Sequence, residues 1–311
     1  MTGVAAQAEP FVHPALFYAD EAAYLSGTVP FLEAGLAKDE PVAVAVPAAN
    51  LALLRDALGR DAERVGLIDM EQAGRNPGRI IPRVLRAFAD AHPGRHVRII
   101  GEPIWQSRSA EEYPACVQHE ALINHAFTGR TVTILCPYDT SRLDERVLTD
   151  ARATHPVLIE GGVELPSQMY APDRVVADYN LPLAVPRDVD GLDFDADLLP
   201  EARRYATRRA LALGLPGNRH DDFALAVAEL TTNSVVHGGG SGTVRVWVEG
   251  GHLVCEVRDR GLLDDPMAGR RPAAPGQIGG RGLLLVHYLS DLVRLHSGSE
   301  GTTVRSYFRC P

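Results

Sequence analysis

Short, unbroken apolar runs alternate with amphipathic segments along the first half of the chain. PVAVAVP (Pro41 to Pro47), RVGLIDM (Arg64 to Met70), HVRIIGE (His96 to Glu102) and TVTILCP (Thr131 to Pro137) are strand-length and rich in β-branched residues. Between them, a helical pattern covers Glu21 to Leu36, Asn50 to Leu58, Gly78 to Ala91 and Ala110 to Thr128. Continuous apolar strands separated by helices imply a buried, mostly parallel sheet with helices on both faces. An α/β domain is therefore expected over residues 8–168.

The texture changes near residue 170. YAPDRVVADYNLPLAVPRDVDGLDFDADLLP (Tyr170 to Pro200) repeats proline and aspartate and keeps no helical period, so residues 169–196 read as an interdomain linker, with room for a short strand at its start. VLIEGGV, after His155-Pro156, reads as a strand. A helix then runs from Leu198 to Leu213, and a second, capped by Asp221 or Asp222, runs to Val236. TVRVWVEG and HLVCEVRD alternate and meet at Gly250-Gly251, which predicts a hairpin. A Gly/Pro-rich loop (Leu262 to Gly280), a helix from Arg281 to Leu289 and strands around LVRLHSG and TTVRSYFRC complete the chain. This order predicts an α+β sandwich of one sheet and one helical layer over residues 197–311.

Composition narrows the class. The 311 residues suffice for two domains, and 45% hydrophobic with 23% charged residues is a globular balance. A net charge of -9 argues against a direct nucleic-acid partner. MTGVAAQAEP lacks the basic start and apolar core of a secretory signal, and no run is long enough to span a membrane. Cys116, Cys136, Cys255 and Cys310 fit neither a disulfide framework nor a zinc spacing, with Cys136 and Cys255 in apolar strand runs as core thiols. A reduced, cytoplasmic setting is expected.

One stretch carries chemistry that packing alone does not require: ELTTNSVVHGGG, Glu229 to Gly240. Glu229 and Asn233 lie one turn apart on the same helix face. An asparagine oxygen suits Mg2+, and a nearby carboxylate can orient or deprotonate a nucleophile aimed at a γ-phosphate. Leu225 and Val236 flank the pair, so a pocket there is expected to be partly apolar. DRG (Asp259 to Gly261) ends a strand, where a carboxylate can accept from an exocyclic amine and a glycine lets a ring approach. IGGRGL (Ile278 to Leu283) opens a helix whose exposed N–H groups suit phosphates. GTTV (Gly301 to Val304) leads into the last strand.

In this order the pieces resemble the GHKL ATPases: ELTTNSVVHGG their N-box, DRG, GGRGL and GTT their three glycine boxes. The lead-in ARRYATRRALALGLPGNRHDDFALAVAELTTN is similar to that of the anti-sigma-factor serine kinases within this superfamily. The resemblance implies a Bergerat-type ATP site with Glu229 as catalytic base, Asn233 as Mg2+ ligand and Asp259, supported by Gly261, reading adenine. Gly280 and Gly282 match the lid glycines at the phosphates, with Arg281 between them. Thr302 and Thr303 fall in the third box on the adenine side. His237 reads as a helix terminus, not a phosphoacceptor. Leu263 stands where the first box often has a second glycine, which bears on lid geometry and turnover.

In the N-terminal half, the strand-helix junction VPAANL has neither the glycines nor the lysine of a phosphate-binding loop. HPALFYAD, FLEAGLAKDEPVAVAVP, IGEPIW, HEALINHAF, LCPYD and THP, spread between Val12 and Pro166, resemble the MEDS sensory domain of bacterial regulators. That resemblance implies a RecA-like fold with a degenerate P-loop and a small-molecule ligand. Glu102, Trp105, His119, Tyr138 and Asp139 lie near strand ends or on a following helix, where α/β sheets bind ligands.

Together these resemblances imply a signal-responsive anti-sigma-factor-like serine/threonine kinase. It would bind ATP and Mg2+, hold a sigma factor, phosphorylate an anti-anti-sigma (STAS-type) partner and form a homodimer. The alternatives are a nucleotide-binding sequestration module with little turnover and an atypical two-component histidine kinase; the Leu198 to Leu213 helix contains no acceptor histidine.

Overall fold

The structure, a computed structural model, describes residues 11–273, 276 and 280–310. The described chain divides between Ala177 and Asp178 into two compact units.

The first unit holds β1 (Pro14–Tyr18), α1 (Glu21–Ala37), β2 (Val42–Val46), α2 (Ala48–Leu58), β3 (Gly66–Asp69), α3 (Met70–Ala73), α4 (Arg86–Asp90), β4 (Val97–Gly101), α5 (Tyr113–Ala126), β5 (Val132–Asp139), α6 (Glu145–Thr154), β6 (Val157–Glu160), β7 (Val163–Pro166) and α7 (Pro172–Asp178). The sheet order is β3-β2-β4-β5-β1-β6-β7, parallel except for the final β6–β7 pair. Val44, Val46, Leu16, Ile100 and Leu135 pack against Leu32 of α1 and Leu54 of α2.

Several local expectations change here. β1 and α6 are additional elements, and VLIEGGV is two strands that turn at Gly161 and Gly162, both at positive φ. The helix expected over 78–91 begins as a 3-10 turn, passes through a π-helix at Ile80–Leu85 and becomes α-helical only at Arg86. Pro82 within it has no N–H for the regular i→i−4 ladder. The stretch read as linker contains α7 and the first strand of the second unit.

That second unit contains β8 (Gly191–Asp195), α8 (Leu199–Ala212), α9 (His220–Val236), β9 (Ser241–Glu249), β10 (His252–Asp259), α10 (Gly282–Leu289), β11 (Leu292–Gly298) and β12 (Gly301–Arg309). Its sheet is antiparallel throughout, in the order β11-β12-β10-β9-β8. The β9–β10 turn is at Gly250 and Gly251, both with positive φ, as the hairpin reading requires. One face of this sheet meets the helices. Val244, Val246, Leu253, Cys255, Val257 and Phe308 pack on Phe223, Val227 and Leu230 of α9, and on an alanine stripe (Ala202, Ala206, Ala210) that lets α8 approach closely. On the other face the fully buried Glu256 accepts from Arg305 at 2.7 Å and Arg245 at 3.2 Å. α9 starts at His220 with Arg219 as its cap, not at an aspartate. Asp221 and Asp222 instead occupy the first turn, where carboxylates oppose the helix dipole.

Candidate functional site

The last turns of α9 face the end of β10. Asp259, the final residue of β10, is held at both oxygens. Ser234 Oγ donates to Oδ2 at 2.7 Å, and the Gly261 N–H donates to Oδ1 at 2.9 Å. His237 caps α9, and its N–H returns to the Asn233 carbonyl at 2.7 Å. Gly239 and Gly240, both at φ +88, turn the chain toward β9. Gly238 has a different reason to be glycine. A Cβ there would lie 2.3 Å from Asp259 Cγ, so a side chain at 238 and a carboxylate at 259 exclude one another.

A cavity of about 560 Å3 opens over this carboxylate. Asn233, Asp259, Gly261, Gly280, Arg281, Gly282 and Thr302 all line it, with apolar walls from Leu230, Val257, Leu263, Met267, Leu284 and Val304. Thr302 donates to the Gly261 carbonyl at 2.8 Å and lies 2.9 Å from Ser297 Oγ. Ser297 Oγ in turn accepts from the Leu263 N–H at 2.8 Å, which ties the loop after β10 to β11. Strand alternation turns Thr303 to the opposite side of β12, and it does not line the cavity. Leu225 and Val236, expected to flank the pocket, are 42% and 63% exposed and do not line it; its apolar wall comes from other residues. Glu229 is not among the residues that line it. A Cβ on Gly282 would approach its Oε2 to 2.8 Å and Asn233 Nδ2 to 3.0 Å, so the Glu/Asn pair abuts the first residue of α10. Ile278 and Gly279, part of the predicted phosphate box, lie outside the described residues.

Residues 12–156 match the model of the MEthanogen/methylotroph, DcmR sensory domain (MEDS), and residues 192–308 that of the histidine kinase-like ATPase domain. The chain is a MEDS sensory domain joined to a GHKL-type ATPase domain. No curated protein is significantly similar to it. The solved structure of the RsbU and RsbW domains of Rv1364c from Mycobacterium tuberculosis is 21% identical over 39% of this chain, with a TM-score of 0.29. That match spans 32% of the other chain, about a third of its length.

In the ATPase domain, sequence reasoning missed Ser234, Met267 and Ser297. Ser234 carried a usable signal. It lies one turn after Leu230 on the buried stripe, and a buried hydroxyl needs a partner. Met267 and Ser297 gave none, because a loop and a strand bring them to the cavity from outside every motif.

In the MEDS domain, the carboxyl ends of β1, β4 and β5 bring Tyr18, Glu102 and Asp139 to one end of the sheet. Glu102 is buried and accepts from Asn50 Nδ2 at 2.8 Å and from the Tyr18 hydroxyl at 3.5 Å. Burial pushes its pKa up to about 8, against those hydrogen bonds and with help from the Asp139 charge. Asp139 accepts from the Ser141 N–H at 2.9 Å. Trp105 donates to Ser107 at 2.8 Å, and the Arg108 guanidinium stacks 3.8 Å from its ring centre. His119 and Tyr138 are buried. No helix among the described residues is long and apolar enough to cross a membrane.

Proposed function

We propose that the ATPase domain binds Mg-ATP and transfers the γ-phosphoryl group to a serine or threonine of an anti-anti-sigma (STAS-type) protein. Ligand binding at the MEDS domain sets its balance between that substrate and a sigma-factor client. One observation carries the nucleotide reading. Asp259 is fixed from two sides at the floor of a cavity that also contains Asn233, Gly282 and an apolar wall.

The cavity fits the group. Its volume lies within the range of small-molecule sites. Each Asp259 oxygen has one hydrogen-bond partner and keeps lone-pair capacity for an exocyclic amine. Leu230, Val257 and Val304 offer the apolar contact that a purine ring needs. Asn233 supplies an amide oxygen to Mg2+, and Gly280 and Gly282 leave the start of α10 open to phosphates. A Mg2+ ion held by Asn233 would supply charge neutralisation at the phosphates. Glu229 orients the acceptor hydroxyl and takes its proton. Arg281 lines the cavity from the same turn and would complete the phosphate side, while Thr302 holds the Gly261 carbonyl. With Thr303 on the far side of β12, we assign it no contact with the nucleotide.

The test is calorimetry of Mg-ATP with the full chain and its Asn233→Ala and Asp259→Asn variants, then transfer of labelled phosphate to a STAS protein. Binding that weakens in both variants, with transfer absent in Glu229→Ala, supports the kinase. Binding without transfer to any STAS substrate favours the sequestration module. The Leu263 position motivates that second reading, because its amide is already committed to Ser297. A folded protein with no affinity for Mg-ATP sinks both.

A further inference from the structure

The MEDS domain contains a second constellation, built from residues other than those at the strand carboxyl ends. His13 precedes β1 and His155 precedes β6, and these strands are neighbours in the sheet, with Pro14 opposite Val157. Cys136 lies on β5, the other neighbour of β1, and Glu120 comes from α5. All four side chains are buried, and one donor atom from each lies within 4.8 Å of the others.

The hydrogen bonds around this cluster fix where the protons are. Asn124 Nδ2 donates to the carbonyls of Ala121 and Thr154, at 3.1 and 2.9 Å, so its Oδ1 must be the atom facing His13 Nδ1 at 3.2 Å. His13 therefore carries its proton on Nδ1. The same holds for His155, whose Nδ1 faces the Ala151 carbonyl at 2.8 Å. In the neutral rings both Nε2 lone pairs then point inward.

What the lone pairs point at is a carboxylate. Glu120 Oε2 lies 3.1 Å from His155 Nε2 and 3.5 Å from His13 Nε2. Neither Glu120 oxygen nor His155 Nε2 has a hydrogen-bond partner among the described residues. A buried carboxylate ringed by lone pairs lacks the partner that burial demands. A cation at the centre would supply it. Cys136 Sγ, 3.4 Å from His13 Nε2, adds a fourth donor.

We propose that His13, Glu120, Cys136 and His155 form a closed site for a divalent transition-metal ion of the Zn2+ type. The donor set of two imidazoles, one carboxylate and one thiolate is what such an ion takes. Tetrahedral coordination at ordinary Zn–N, Zn–O and Zn–S lengths puts donors about 3.3–3.6 Å apart. The three distances above, 3.1, 3.4 and 3.5 Å, lie at or near that range. Loss of the Cys136 proton to solvent on binding leaves two negative ligands against a 2+ ion, a neutral centre suited to burial. Asn124 and the Ala151 carbonyl are the outer partners that orient ligating histidines. The ion would tie three adjacent strands to α5.

The test uses the full chain without an affinity tag, reduced and produced with and without added Zn2+, and then reconstituted with Co2+. About one ion per chain is expected, with the visible bands of four-coordinate cobalt and a near-ultraviolet thiolate-to-cobalt band. Cys136→Ser should lose the thiolate band, whereas Cys310→Ser should keep it. Asn124→Ala, which removes no ligand, should weaken metal affinity about 10–100-fold. That variant also carries the test if Cys136→Ser fails to fold. A folded wild type that takes up neither ion, a thiolate band that survives Cys136→Ser, or unchanged affinity in folded Asn124→Ala would overturn the assignment.

Discussion

Ser234 Oγ donates a hydrogen bond to Asp259 Oδ2 at 2.7 Å, linking the last turn of α9 to the last residue of β10. The adjacent Asn233 points into the same cavity. Two neighbouring residues of one helix therefore serve two ends of one proposed ligand. On the proposed function, Asn233 would face the metal and phosphates, and Ser234 would aim the carboxylate that would read the base.

Ser234→Ala tests that division of labour. A hydrogen bond to a charged group contributes about 1.5–3 kcal/mol, so Mg-ATP affinity should fall tenfold or more while the fold survives. Titration calorimetry beside a far-ultraviolet spectrum decides it. An affinity equal to wild type would show that Asp259 needs no help from α9.

Gly238→Ala should be more severe. The new Cβ would occupy space 2.3 Å from Asp259 Cγ and 2.5 Å from Oδ2, so the carboxylate must leave its bonds to Ser234 and Gly261. Overpacking of this kind typically costs about 1–3 kcal/mol of stability. Nucleotide binding should be lost altogether. A variant that binds as Ser234→Ala does, or better, would mean that Asp259 moves without consequence.

The motif residues of the ATPase domain were legible because each sits on a pattern that sequence alone exposes: a helical i,i+4 pair, a strand end, a helix start. Gly238 was visible as a glycine but not for its actual reason, since the clash with Asp259 spans 21 positions in the chain. Thr303 was grouped with Thr302, yet strand alternation separates adjacent residues onto opposite faces. In the MEDS domain the limits were sharper. α7 falls in a stretch crowded with prolines and aspartates, and β1 is a five-residue run that begins with proline. His13, Glu120, Cys136 and His155 meet only because β5, β1 and β6 are adjacent, an order no local spacing encodes.

Glu229→Gln separates chemistry from binding. Glu229 does not line the cavity but abuts Gly282, so the neutral isostere should leave Mg-ATP affinity little changed. Loss of a positioned general base lowers transfer about 10²–10⁴-fold. Single-turnover transfer to the STAS substrate measures it. Wild-type transfer in Glu229→Gln would remove Glu229 from the mechanism.

Glu102 should make the MEDS domain less stable at pH 8 than near neutrality or below. Its folded pKa, about 8, is raised above the unfolded value of 4.5, so the folded state retains the proton that the unfolded state gives up. That contribution is fully present below about pH 4.5 and is lost as pH rises through about 8, with a limiting slope of about 1.4 kcal/mol per pH unit. His13 works in the opposite direction. Its folded pKa of about 4 lies below the unfolded 6.5, so it adds stability as pH rises between those values and masks part of the Glu102 slope there. The clear window is therefore about pH 6.5 to 8. Urea midpoints across it, read from Trp105 fluorescence in a Trp247→Phe background, should fall with pH and flatten in Glu102→Gln. An equal slope in both proteins would show that Glu102 ionises as freely in the folded chain as in the unfolded one.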